Sequence, residues 1–284
     1  LVCLLLLYLI KHKWFAMSKN LYIVLHDFTE IGDTALGYAL NIAKHVHIDI
    51  ELLHVVNNSS KEEGAKAKLM DIIKGLSLPE GCSLSPVVKT GNFIDDMGTL
   101  AKGEHAQLVI MGTHGALGLQ KLFGSHALKM IRTSEVPFLV VQKGTPLRNI
   151  SKVIVPVDLT KESLQIVNIA GDMANIFGGE VHVLYEDQAD ERLSMTMKTR
   201  THIVKNNYEE RGVKAEFVKL PAKGSYIKKI EHYAEANSAE ILAFAYHSES
   251  ILPQFETFGQ SLITNSLNLP CMVVNSKLAS ALYF

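Results

Sequence analysis

Leu108–Gln142 reads LVIMGTHGALGLQKLFGSHALKMIRTSEVPFLVVQ. Leu108–Met111 is a continuous apolar run, the pattern of a parallel strand buried on both faces. Gly112, Gly115 and Gly118 follow at once, Gly124-Ser125 marks the start of a helix, and Pro137–Val141 is a second apolar strand. Glycines just past the carboxyl end of a strand let main chain approach an anion, and a helix start offers it unpaired N–H groups. The stretch is a phosphate site in outline, carried on a β-turn-α-β unit.

Working outward, the same alternation fills the chain. Leu21–Leu25 is apolar, Asp27–Glu30 supplies helix-start chemistry, and Thr34–Val46 places Leu36, Ala39, Leu40, Ala43 and Val46 at helical spacing. Ile50–Val56 predicts a strand, Lys61–Leu76 a helix, Val87–Lys89 a short strand and Ile94–Lys102 a helix. Alternating strands and helices imply a parallel sheet covered on both faces. The pattern then restarts. Lys152–Asp158 echoes Leu21–Asp27, Glu180–Tyr185 echoes Glu51–Val56, Ile241–Ala245 echoes Leu108–Gly112, and Leu269–Val274 echoes Val136–Val141. Asp158 lies 131 residues after Asp27 and Pro270 lies 133 after Pro137, so the chain reads as a tandem duplication. The expected domains are 17–143 and 150–277, joined near 143–149.

The chain has 284 residues, 28 basic and 29 acidic side chains and 48% hydrophobic residues. That composition suits two globular domains and supplies no basic face for nucleic acid. Cys3, Cys82 and Cys271 are isolated, which implies neither a disulfide framework nor a zinc site, so a reducing cytoplasm is expected. Leu1–Ile10 is apolar and Lys11–Trp14 is basic, too short a run to cross a bilayer and with its charge on the wrong side for a signal peptide. Residues 1–16 read as upstream sequence before a start at Met17, or as a short membrane anchor; without an anchor no membrane partner is expected.

Searches for catalytic motifs find none: no GxxxxGK[ST], HExxH, GxSxG or, after the first strand, GxGxxG. No metal site is expected; His45 and His47 sit at a helix end, where imidazole complements the dipole. His54 and His182 read as hydrogen-bonded strand residues, and Asp27 and Asp158 as helix caps or ligand groups.

The glycine stretch resembles the nucleotide-binding signature of the universal stress protein family, G-x-x-G, nine residues, G-[S/T]. Other landmarks of the resemblance are a first strand ending in Asp, a second carrying His-Val, a fourth ending in Gly-Thr-His-Gly and Val-Pro-x-x-Val-Val in the last. The resemblance implies two doubly wound α/β domains, each a five-stranded parallel sheet of the adenine-nucleotide hydrolase-like kind, strand order 3-2-1-4-5, with ligand at the carboxyl ends of strands 1 and 4. It places Asp27 and the backbone of Val55 on the adenosine side, and Met111, Gly112, Gly115, Gly124, Ser125 and His126 on the phosphate side, binding ATP, ADP or AMP, with Mg2+ accompanying the nucleotide. It further implies last strands that meet within the chain as a pseudo-dimer, homodimerisation as an option, and a stress-response role with little or no turnover.

Two departures stand out. Eight residues, Ala116–Phe123, separate Gly115 from Gly124 where the family pattern has nine, and Leu25 stands where the family has Pro. In the second half Ala245 and Ser248 replace Gly112 and Gly115, and Gly259-Gln260 follows a longer turn as the counterpart of Gly124-Ser125. A Cβ at such positions blocks close approach of main chain, so the second site reads as degenerate. The alternatives are a nucleotide-free interaction module of the same fold, or an enzyme acting on adenine nucleotides.

Overall fold

In the computed structural model the described residues form ten strands in one continuous sheet. Residues 20–91, 100–113, 125–246 and 253–276 are described, with backbone only at 125–126 and 253–256. The strands are β1 (Leu21–Leu25), β2 (Asp49–Val56), β3 (Ser83–Thr90), β4 (Leu108–Gly112), β5 (Phe138–Val141), β6 (Lys152–Pro156), β7 (Glu180–Glu186), β8 (Ala215–Leu220), β9 (Ile241–Tyr246) and β10 (Cys271–Asn275). Their spatial order is β3-β2-β1-β4-β5-β10-β9-β6-β7-β8. Each half therefore follows the order 3-2-1-4-5, and the halves meet at their last strands. Every pairing within a half is parallel. β5 and β10 alone pair antiparallel, Phe138 opposite Val273, Leu139 opposite Met272 and Val140 opposite Cys271. This covers two strands that would otherwise be open, fully apolar edges.

The helices are α1 (Glu30–Ala43), α2 (Glu62–Lys74), α3 (Ser125–Arg132), α4 (Val167–Phe177), α5 (Glu191–Glu210), α6 (Tyr226–Ala236) and α7 (Pro253–Ile263). One face of the sheet is covered by α1, α2, α4 and α5, which contribute Leu36, Ile42, Leu69, Val167, Met197 and Val204 to one core. The other is covered by α3, α6 and α7, with Leu128, Ile131, Ile230 and Leu262. The central strands face both cores: Val109 and Ile110, neighbours in β4, point into opposite layers and both are 0% exposed.

The 142–151 connection is held against the first half. Tyr38 Oη donates to the Pro146 carbonyl (2.7 Å) and Asn41 Nδ2 to that of Arg148 (3.0 Å). Across the seam, Gln142 Nε2 donates to the Asn265 carbonyl and Asn275 Nδ2 to that of Arg132. The Arg132 guanidinium donates twice to Tyr246 Oη, at 2.9 and 2.8 Å.

Strand β3 is much longer than the Val87–Lys89 expected from sequence. It is an edge strand, half exposed, and Pro86 within it has its missing N–H on the open side, since β3 pairs only with β2. The expected helix over Ile94–Lys102 falls largely outside the described residues; 100–103 are helical.

Candidate functional site

The crevice opened by the strand order lies at the carboxyl ends of β1 and β4, where β1 turns one way to α1 and β4 the other. Asp27 follows β1 at this point. Its Oδ1 accepts from the backbone N–H of Thr29 (3.1 Å) and from the Thr29 hydroxyl (2.5 Å). Its Oδ2 is buried and has no hydrogen-bond partner. A buried carboxylate oxygen lacking a donor is costly, and the cost is removed by any N–H or O–H brought to it. Asp27 is thus not the cap of α1, whose cap position is Thr29; one oxygen holds the turn and the other is buried without a partner.

The turn around Asp27 is tightly specified. Phe28 adopts φ 62°, the left-handed region, and its N–H donates to His26 Nδ1 (3.1 Å). His26, 3% exposed, meets Asp33 Oδ1 through Nε2 at 3.0 Å. With Nδ1 accepting, Nε2 carries the proton and donates. His54 Nδ1 donates to the His26 carbonyl (2.7 Å), and the Phe28 ring lies 4.2 Å from the His54 ring with Lys68 Nζ above it at 5.4 Å. Nothing in the sequence singles out Lys68. The His-Asp-Phe run beside β1 was visible, but nothing in its spacing announces a positive φ.

Met111 and Gly112 end β4, with Met111 buried. A Cβ on Gly112 would lie 2.2 Å from Ile31 Cγ2, so glycine here is required by the packing of α1 over β4. The anion-approach reason given for Gly112 is therefore not needed to explain it. Val55 sits near the end of β2, opposite Lys89 of β3. Gly115 and Gly124 lie outside the described residues, as do His114 and His247. Ser125 and His126 open α3; their side chains are not described.

The second half repeats the aspartate turn and then closes the crevice. Asp158 Oδ1 accepts from the N–H and hydroxyl of Thr160, the arrangement at Asp27 and Thr29. Tyr226, at the start of α6, then fills the space: its hydroxyl donates to the carbonyls of Leu184 (2.8 Å) and Val157 (3.1 Å). Phe258 stacks on it at 6.0 Å, and Lys229 bridges to Glu186 beside it. Burial and the nearby Asp158 and Glu186 carboxylates hold the phenol well above its ordinary pKa, so it is neutral and donating.

Two sequence alignments between the halves are corrected by register. His26 N–H bonds to the Leu53 carbonyl and Val157 N–H to that of Leu184, so β2 and β7 superpose at an offset of 131, two residues from the expected Glu51–Glu180 match. His54 thus corresponds to Tyr185 and Glu51 to His182. A two-residue slip keeps each side chain on its face, so alternation alone cannot detect it. Likewise Gly259 is not at a helix start but inside α7, where a Cβ would meet Tyr246 Cδ2 at 2.8 Å.

His45 and His47 have packing partners: the His45 ring lies 4.6 Å from Phe177, and the His47 ring lies where a Gly81 side chain would be.

The family model described as the universal stress protein family matches residues 22–142. Residues 22–142 belong to the universal stress protein family. A universal stress protein of Methanocaldococcus jannaschii is 27% identical over 163 residues, half of this chain and 95% of that protein. The crystal structure of a universal stress protein from Archaeoglobus fulgidus aligns over 92% of this chain and all of its own at 18% identity, TM-score 0.71, which establishes the two-domain fold along the chain. The A. fulgidus universal stress protein solved in complex with dAMP aligns with 45% of this chain and all of its own at 15% identity, TM-score 0.38. No helix among the described residues is long and apolar enough to cross a membrane.

Proposed function

We propose that the first universal stress protein domain binds one adenine nucleotide, ATP or its di- or monophosphate, at the β1/β4 crevice, and that the second domain is a closed structural partner in a stress-response regulator. The observation that carries this reading is the contrast between the two crevices. In the first, Asp27 presents a buried, unpartnered oxygen; in the second, Tyr226 and Phe258 occupy the corresponding space. An adenine amine or ribose hydroxyl is the donor that Asp27 Oδ2 lacks, with Val55 main chain beside it. The sequence puts Gly112, Gly115, Gly118 and Gly124 between β4 and the start of α3, the residue type that lets main chain approach a phosphate. Mg2+ would arrive with the nucleotide. The domain acts as a binder with slow or no turnover, since Asp27 is already committed to its turn.

The test is the thermal shift of the full chain with ATP, ADP and AMP. Ligand at a hundred times Kd adds about 2.7 kcal/mol to stability. Asp27→Asn keeps the Thr29 bonds through Oδ1 but puts an amide N–H₂ where Oδ2 was; affinity falls about tenfold, the worth of one charge-assisted hydrogen bond. Absence of any shift in the unsubstituted chain contradicts the proposal. A nucleotide-free interaction module has one observation in its favour, that Ile31 alone accounts for Gly112.

A further inference from the structure

The second domain carries a groove beside α5 and β8, on the far side of the sheet from Tyr226. In the first domain the 13-residue α2 lies closely on β3, with Leu69, Ile72, Ile73 and Leu84 filling the layer between. In the second, the 20-residue α5 stands off the sheet and touches β8 sparsely. Register makes Ala215 the counterpart of Leu84, so the residue that would fill the layer has lost most of its side chain. What remains is a groove of about 490 Å³, within the range of small-ligand sites.

Its lining divides by chemistry. Tyr185, Tyr208 and Phe217 supply aromatic walls, and Lys198, His202 and Lys205 stand along the rim on one flank of α5. Tyr208 is 1% exposed and anchored by its hydroxyl to the Val167 carbonyl, so that wall is rigid. The acidic group in the lining, Glu209, lies 3.8 Å from Lys205, and His202 Nε2 lies 3.3 Å from Asn206 Nδ2, which leaves the Lys198 ammonium to an incoming ligand. Flat aromatic walls favour a ring, and the Lys198 ammonium at the rim favours a negative charge on it.

We infer that this groove binds small planar aromatic anions (aromatic carboxylates, sulfonates or phosphate esters), independently of the nucleotide crevice. The experiment titrates the full chain with 8-anilinonaphthalene-1-sulfonate by fluorescence, alongside its uncharged relative N-phenyl-1-naphthylamine. Ala215→Leu refills the layer as the first domain does, and Lys198→Glu reverses the rim charge; circular dichroism checks that both variants fold. The expected result is at least a fivefold loss of sulfonate affinity in each variant, no effect of Lys198→Glu on the neutral probe, and no displacement by ATP. Sulfonate binding undiminished in either folded variant overturns the inference, as does displacement by ATP. Should Ala215→Leu fail to fold, Ala215→Val takes its place with the same criterion.

Discussion

Asp27 and Asp158 are the same residue in the same turn with different remaining work. Each spends one oxygen on the N–H and hydroxyl of the threonine two residues on. In the second copy what reaches the crevice comes from positions 226 and 258, far away in sequence. The duplicated Asp was legible from a near-constant offset, and Ala245 and Ser248 marked the second copy as degenerate; Tyr226 in its crevice was not legible, because a side chain filling a crevice leaves no periodic trace. Gly112 makes a related point: a glycine at a ligand turn and a glycine under a helix look identical in sequence, and here Ile31 decides. Buried tyrosines give this scale a pH prediction. Burial raises Tyr22 and Tyr38 from 10.0 to about 12. A raised folded pKa means the unfolded chain ionises first, so their stability is complete below about pH 10 and is lost as pH rises from there to about 12. Denaturant midpoints across pH 8 to 11.5 should fall steeply above 10, and Tyr38→Phe, which cannot ionise, should make that fall shallower.

Among the elements, buried strands were the easiest to read and edge strands the hardest. β4 and β5 show as uninterrupted apolar runs because both faces meet a helix layer. β3 shows only as a fragment because an edge has one partner, a polar outer side and, here, Pro86. The α6 start is the element-scale device of the second domain: it delivers Tyr226 to the carbonyls of β6 and β7. Tyr226→Ala leaves a cavity among Phe258 and Phe244 and should cost about 3–5 kcal/mol in equilibrium unfolding. Tyr226→Phe, which keeps the ring and loses two hydrogen bonds, should cost about 1–2 kcal/mol. Equal losses from the two would mean the ring does not fill the crevice.

As a whole molecule, the chain builds in one polypeptide what two copies of its domain would build by pairing last strands. The antiparallel β5–β10 seam has no exposed residue: Phe138, Leu139, Val140, Cys271 and Val273 are 0% exposed and Met272 is 1%. The repeat was readable from landmarks, and the seam from the family resemblance; the polar clasp of Arg132 on Tyr246 was not, since its members lie 114 residues apart. Met272→Asp would bury an unpaired charge at the seam's centre and should cost about 3–5 kcal/mol; a loss under 1 kcal/mol would show that the seam opens without consequence. The proposed function, with Tyr226 in the second crevice and an unpartnered Asp27 oxygen in the first, implies a single nucleotide site per chain. Isothermal titration of the full chain with ATP and AMP measures that directly. One nucleotide per chain is expected, with affinity about tenfold lower in Asp27→Asn; two per chain, or heat that Asp27→Asn leaves unchanged, would overturn the single-site reading.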